Sequence, residues 1–121
     1  MKVLKEEHLY EFANLVPRKT GLKVQIWAKH SGVKRNNSRS NTPRIKLTRD
    51  PFSITVTIEE SPKIKAKSRN LKVKDINRLF SDGIKYVGKN YDLFLRHYMD
   101  TTDDFDDEDL FNALREKGEY K

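Results

Sequence analysis

Lysine and arginine alternate with aliphatic residues in several short runs, and one of these runs contains the only tryptophan of the chain. Alternate side chains of a β-strand share one face, so each run would separate its cations from its aliphatic residues. A cationic face around an aromatic ring is typical of surfaces that hold single-stranded nucleic acid, because cations attract phosphates and the ring stacks on a base. The residues predicted to form this face are Lys23, Trp27, Lys29, Arg44, Lys46, Lys63, Lys65 and Lys67.

A solvated face without a ligand is the alternative interpretation of the same pattern. Lysine on edge strands keeps sheets from pairing with one another, and this role needs no partner.

Residues 30–42 join two of the alternating runs and show no apolar periodicity. Gly, Asn and Ser predominate there, which favours a long loop. Long polar loops often carry binding residues. The loop extends the predicted partner-binding or nucleic-acid-binding surface with Lys34, Arg35 and Arg39.

Residues able to do covalent or acid–base chemistry are sparse. The chain has no cysteine and three histidines, which are far apart in sequence. We therefore predict a protein that is not an enzyme and has no catalytic residues and no cofactor. One enzymatic alternative remains, a small basic ribonuclease toxin that stabilises charge developing at phosphorus. Its residues would be Arg44, Lys46, His30 and His97.

Carboxylates concentrate in residues 99–121, which contain nine Asp or Glu residues and three Lys or Arg residues. Their spacing begins like a calcium-binding loop, but Asp109 stands where that loop requires Gly and Arg115 where it requires Glu, so no metal site is predicted. The carboxylates instead favour the start of a short helix from about 106 to 117, with Gly118 at its end. Alternatively, the acidic segment folds back over the basic face.

Four segments show the strict alternation typical of half-buried strands, and they are 22–29, 43–48, 53–60 and 62–67. The short connections between the last three favour antiparallel neighbours. Alternatively, Ser61-Pro62 forms a bulge within one long bent strand.

Helical spacing of apolar residues predicts a main helix over 73–98, in which Gly83 and Gly88 favour a kink or break. A short amphipathic helix is predicted over 3–15, ended by Pro17. The predicted fold class is α+β, an antiparallel sheet of three to four strands with the long helix on one face and short helices at both ends.

The 121 residues carry a net charge of +7. They are predicted to form a single domain over 1–98 followed by an acidic segment over 99–121. A basic body favours nucleic acid or an acidic protein surface as partner. No apolar run approaches the about 18 residues of a membrane span, so no membrane partner is predicted. Glu6, Glu7 and Glu11 stand where a signal peptide would be continuously apolar, and the chain has no cysteine. Both features favour a cytoplasmic location.

Four stretches carry a resemblance to a known group of proteins: RKTGLKVQIW (18–27), PRIKL (43–47), SITVTIEESPKI (53–64) and KDINRLFSDGIKYVGKNYDLFLRHYMD (74–100). They resemble a family of short uncharacterised proteins of phages and prophages, in which strands precede an aromatic-rich helix. The family has no established activity. The resemblance implies a setting in the cytoplasm of an infected or lysogenic host cell.

Three functions follow as hypotheses. The first is a phage-type accessory protein that binds a host protein and inhibits a defence or nucleic-acid-processing enzyme, an anti-defence role. The second is direct binding of DNA or RNA through the basic sheet face. The third is the ribonuclease toxin.

Overall fold

A computed structural model describes residues 12–29, 42–100, 102 and 104–121. Within these residues the chain forms one five-stranded antiparallel sheet in the order β1-β2-β3-β4-β5. The strands are β1 (Phe12–Leu15), β2 (Gln25–Lys29), β3 (Arg44–Arg49), β4 (Phe52–Thr57) and β5 (Ile64–Lys67), and the helices are α1 (Pro17–Thr20), α2 (Val73–Lys89), α3 (Tyr91–Met99) and α4 (Asp107–Glu116). The α+β class is confirmed, and the sheet has five strands instead of the three or four predicted.

The additional strand, β1, lies where the sequence predicts the end of a helix. Residues 12–15 pair with β2 along their whole length, and Ala13 and Leu15 are buried in the core. Residues 12–15 also alternate with a period of two, and β2 provides a strand with which they can pair. This pairing outweighs the helical spacing of their apolar residues. The helix prediction is wrong for 12–15, and Pro17 begins α1 instead of ending a helix. The rest of that prediction, 3–11, lies outside the described residues.

The predicted alternation of the central strands is confirmed, but the strands begin and end at other residues than predicted. β2 begins at Gln25 instead of residue 22, and β4 ends at Thr57 instead of residue 60. The aliphatic side chains of this region are buried on one side of the sheet, here called the inner side, and they are Val24, Ile26, Ala28, Ile45, Leu47, Ile54 and Val56. Burial of this row is the main apolar contribution of the sheet to stability.

The main helix is confirmed only in part, because it is divided into α2 and α3. Asn90 separates them with φ −113° and ψ 24°, outside helical values. Its side chain is fully buried, and its Nδ2 donates a hydrogen bond of 3.1 Å to the Tyr86 carbonyl. The break therefore occurs at a buried asparagine and not at either glycine.

The two glycines of α2 allow close packing. A Cβ atom on Gly83 would lie 2.5 Å from Cγ2 of Val24, and one on Gly88 would lie 2.5 Å from the carbonyl oxygen of Glu60. Both distances are shorter than side chains tolerate. Consequently α2 lies directly against the inner side of the sheet at one point and against the connection between β4 and β5 at another.

The acidic segment forms α4 as predicted. Asp106 is its N-cap, with its carboxylate accepting from the Asp109 backbone N–H at 3.0 Å while the Asp109 carboxylate accepts from the Asp106 N–H at 3.1 Å. The bond from the Asp109 N–H is the largest cause that lowers the pKa of Asp106. Leu110 and Leu114 are fully buried in the core. The described part of the acidic segment thus packs into the helical layer on the inner side of the sheet.

The last residues fasten α4 to the rest of the fold. The buried Tyr86 hydroxyl donates to the Glu119 carbonyl at 2.7 Å, and burial raises the pKa of Tyr86 above its usual range. The Glu119 carboxylate lies 2.8 Å from Lys89 Nζ, and the Lys121 N–H donates to the Lys19 carbonyl at 2.9 Å. These contacts connect the chain end to both α1 and α2.

Candidate nucleic-acid interface

The outer face of the sheet is the side opposite the inner, buried row. Strand pairing places residues directly across from one another on the same side. By register, the outer face consists of Asn14, Gln25, Trp27, Lys29, Arg44, Lys46, Thr48, Ser53, Thr55, Thr57 and Ala66. None of these strand residues is acidic. The described part of this face therefore carries positive charge and neutral polar groups only.

Trp27 lies on β2, one strand in from the β1 edge of this face. It stands between Asn14 of β1 and Lys46 of β3. The indole is half-buried, and its Nε1–H donates to the Thr48 hydroxyl at 2.9 Å. Beside it, the Gln25 side-chain amide donates to the Asn14 side-chain carbonyl at 2.6 Å. The bond to Thr48 orients the aromatic ring on the sheet.

Three cations, Lys29, Arg44 and Lys46, lie around this ring and are exposed. They stand on β2 and β3, and neighbouring strands are about 5 Å apart. Neither Arg44 nor Lys46 forms an ion pair with any described residue. Because neither charge is paired with a carboxylate of the described residues, this end of the face attracts anions.

A carboxylate borders the face at one corner. Arg44 stands opposite Thr57 of β4, and the Thr57 hydroxyl donates to the carboxylate of Glu59. That carboxylate also lies 4.0 Å from Lys63 Nζ. Alternation over the predicted strand 53–60 already puts Glu59 on the side of Thr55 and Thr57. The sequence does not place Asn14 at this surface, because residues 3–15 are predicted to form a helix.

The prediction for the last strand is wrong in its alternation. A register shift between Thr55 and Val56 places Ala66 opposite Thr55 on the outer face and Lys67 opposite Ile54 on the inner side. One extra residue in a bulge reverses which side the following residues occupy. Lys67 Nζ accordingly donates to the Leu71 carbonyl at 2.7 Å, towards α2.

The other predicted cations are dispersed. Lys23 precedes β2 and is exposed, and its backbone N–H donates to the Asp82 carboxylate at 2.9 Å. Lys63 and Lys65 are exposed at the β5 edge. Of the predicted site residues, the structure thus brings together Trp27, Lys29, Arg44 and Lys46. Lys34, Arg35 and Arg39 lie outside the described residues, in the segment that joins β2 to β3.

The residues of the ribonuclease hypothesis are not brought together in the described part of the chain. His97 of α3 is fully buried, with Nε2 2.8 Å from the carboxylate of Asp107 in α4. Arg44 and Lys46 lie on the opposite side of the sheet, and His30 is outside the described residues. Among the residues that can be placed, no group of three or more His, Asp or Glu side chains could hold a metal ion.

None of the described helices is both long enough and apolar enough to cross a bilayer. Comparison with protein-family models, curated proteins and solved structures returned no match. The resemblance to phage and prophage proteins therefore stays a prediction, and the functional argument depends on the outer face itself.

Proposed function

We propose that this protein binds single-stranded nucleic acid on the outer face of its sheet. The observation that carries the proposal is the direct pairing of Trp27 with Lys46, with Arg44 and Lys29 exposed at the same end of the face. This arrangement supplies a ring that can stack on a base and cations that can hold the adjacent phosphates. Protein binding was the leading hypothesis from sequence, but this geometry favours a polyanion.

Single strands suit this surface better than duplex DNA. Reading the major groove of a duplex requires a helix or ribbon that projects into it. The described outer face presents a sheet surface from which no described helix projects. A half-buried indole on such a surface can reach only bases that are already unstacked and turned towards it.

The function is non-enzymatic under this proposal. Binding would be independent of base identity, because every base has a π-face and the cations contact only the backbone.

Tryptophan emission tests the proposal directly, since Trp27 is the only tryptophan in the chain. Titration with a thymidine oligonucleotide of about 15 residues should quench the emission to saturation at low salt. A duplex of the same length should bind at least about tenfold more weakly, a difference of about 1.4 kcal/mol. Unchanged emission throughout the titration, or preference for the duplex, would contradict the proposal.

A further inference from the structure

A second surface, distinct from the outer face, lies at the free edge of β5. This strand ends the sheet and pairs only with β4 in the described structure. All four of its residues, from Ile64 to Lys67, are exposed. The edge is therefore accessible along its whole length.

The backbone of this edge offers hydrogen-bonding groups. At one end of the strand pair the Thr57 N–H donates to the Lys63 carbonyl, and at the other the Ser68 N–H donates to the Ser53 carbonyl, both at 2.9 Å. Along an antiparallel pair, residues bonded to the partner strand alternate with residues whose N–H and C=O point away from it. Ile64 and Lys67, on either side of the bulge in β5, consequently direct backbone groups outwards, where another strand could pair with them.

The side chains of the edge add apolar contact to these backbone groups. Ile64 stands opposite Val56, on the inner side of the sheet. It is 42% exposed, unlike the buried aliphatic residues of the central strands. A strand added here would cover this side chain and extend the apolar inner row.

Charge identifies the kind of strand that fits. The stretch from Lys63 to Lys74 contains no acidic residue, and its exposed cations are Lys63, Lys65, Lys67, Arg69, Lys72 and Lys74. Apart from the contact between Lys63 and Glu59, no described residue forms an ion pair with them. A second copy of the chain would place lysines opposite lysines, which is unfavourable. An acidic strand would neutralise them.

We propose that the edge of β5 binds an acidic, extended segment of another protein as a sixth strand. Backbone hydrogen bonds would supply the pairing, contact with Ile64 would supply apolar burial, and the lysines would select for Glu and Asp. The acidic segment of this chain does not fill this role in the described structure, because Leu110 and Leu114 hold it in the core as α4.

A synthetic peptide of alternating Glu and Val residues tests the proposal by nuclear magnetic resonance on the full-length protein. The peptide should shift the backbone amide signals of β5, with Ile64 and Lys67 among them, and slow their hydrogen exchange. Two control peptides separate the contributions. One carries Lys for Glu, and the other carries backbone N-methyl groups that block pairing without changing charge. Both should bind at least about tenfold more weakly.

The variant Lys65→Glu/Lys67→Glu should weaken binding of the acidic peptide by about tenfold or more, while retaining the fold and the oligonucleotide affinity. This outcome separates the edge from the outer face. Equal binding of the N-methylated peptide, shifts confined to the signals of Trp27 and Lys46, or absence of β5 shifts at millimolar peptide would overturn the proposal. Equal binding of the N-methylated peptide would mean that charge attracts the peptide without strand pairing. The other two results would mean that the β5 lysines serve only to keep the edge solvated.

Discussion

The Nε1–H of Trp27 donates a hydrogen bond of 2.9 Å to the hydroxyl of Thr48 on the neighbouring strand. This bond joins the aromatic residue of the candidate interface to β3, which also carries Arg44 and Lys46. The bond directs the indole of Trp27 towards β3. The same strand therefore determines the orientation of the ring and the positions of Arg44 and Lys46.

Replacing Thr48 with Val should therefore weaken oligonucleotide binding while leaving the fold intact. Valine keeps the shape and the strand preference but lacks the acceptor. The bond contributes about 1 kcal/mol, so losing the orientation that it gives the ring should lower the affinity by up to about fivefold. Thr48→Ser keeps the hydroxyl and should bind like the native protein. Equal affinity of the Val and Ser variants would show that the bond does not orient the ring for binding.

Removing the carboxylate at the rim should strengthen binding. Glu59 lies next to the row of Arg44 and Thr57, so Glu59→Gln removes a negative charge that repels phosphates. We expect an increase in affinity of about twofold to fivefold at low salt. Glu116→Gln, at an exposed position of α4, changes the net charge equally and serves as control. If both variants gained the same affinity, net charge and not this corner of the face would be responsible.

Gly88→Ala should destabilise the fold despite the higher helix propensity of alanine. The added Cβ would lie 2.5 Å from the Glu60 carbonyl oxygen and 3.0 Å from Pro62 Cδ, and backbone atoms cannot give way without moving the connection between β4 and β5. We expect the free energy of unfolding to fall by about 1–3 kcal/mol. Asn77→Ala, exposed in the same helix, should change it by less than about 0.5 kcal/mol. Urea unfolding of both variants measures the difference, and equal stability would mean that the helix is not held against this connection.

The N-cap of α4 should make stability depend on pH in acid. Hydrogen bonds to its carboxylate lower the pKa of Asp106 in the folded protein. The stabilisation is therefore present above the unfolded pKa of about 3.9 and is lost as pH falls through the lower folded pKa. Asp106→Asn keeps a capping oxygen without a titrating group, whereas Asp106→Ala removes the cap.

Thermal unfolding between about pH 2 and pH 7 measures these contributions. At neutral pH the unfolding temperatures should decrease in the order native, Asn variant, Ala variant. The difference between the native protein and the Asn variant should shrink as pH falls. A difference that stays constant with pH would show that the charge of Asp106 does not contribute.

Alternation and capping could be predicted from sequence because both are local properties. The inward row of Ile26, Ile45 and Leu47 follows from strict alternation in its own segments, and the start of α4 follows from the carboxylates crowded in its first turn. The shared side of Trp27, Lys29, Arg44 and Lys46 on β2 and β3 therefore follows from the sequence.

The remaining features depend on contacts between distant segments. Four residues around Ala13 fit helix and strand equally well until β2 provides a pairing partner. The bulge that reverses Ala66 and Lys67 is defined only against β4. The glycines of α2 read as helix breakers, but they allow contact with Val24 and Glu60. Each outcome is decided by a neighbour that no local pattern identifies.

The salt dependence of oligonucleotide binding tests the central claim most directly. Neutralisation of about three phosphates by Lys29, Arg44 and Lys46 predicts a slope of about −2 for the logarithm of the binding constant against the logarithm of salt concentration. Arg44→Glu/Lys46→Glu should lower affinity by more than about tenfold and bring the slope towards zero. The control Lys74→Glu/Lys85→Glu, with the same change in net charge at exposed positions of α2, should stay near the native values. Equal losses in both double variants, or a native slope near zero, would contradict binding at the outer face.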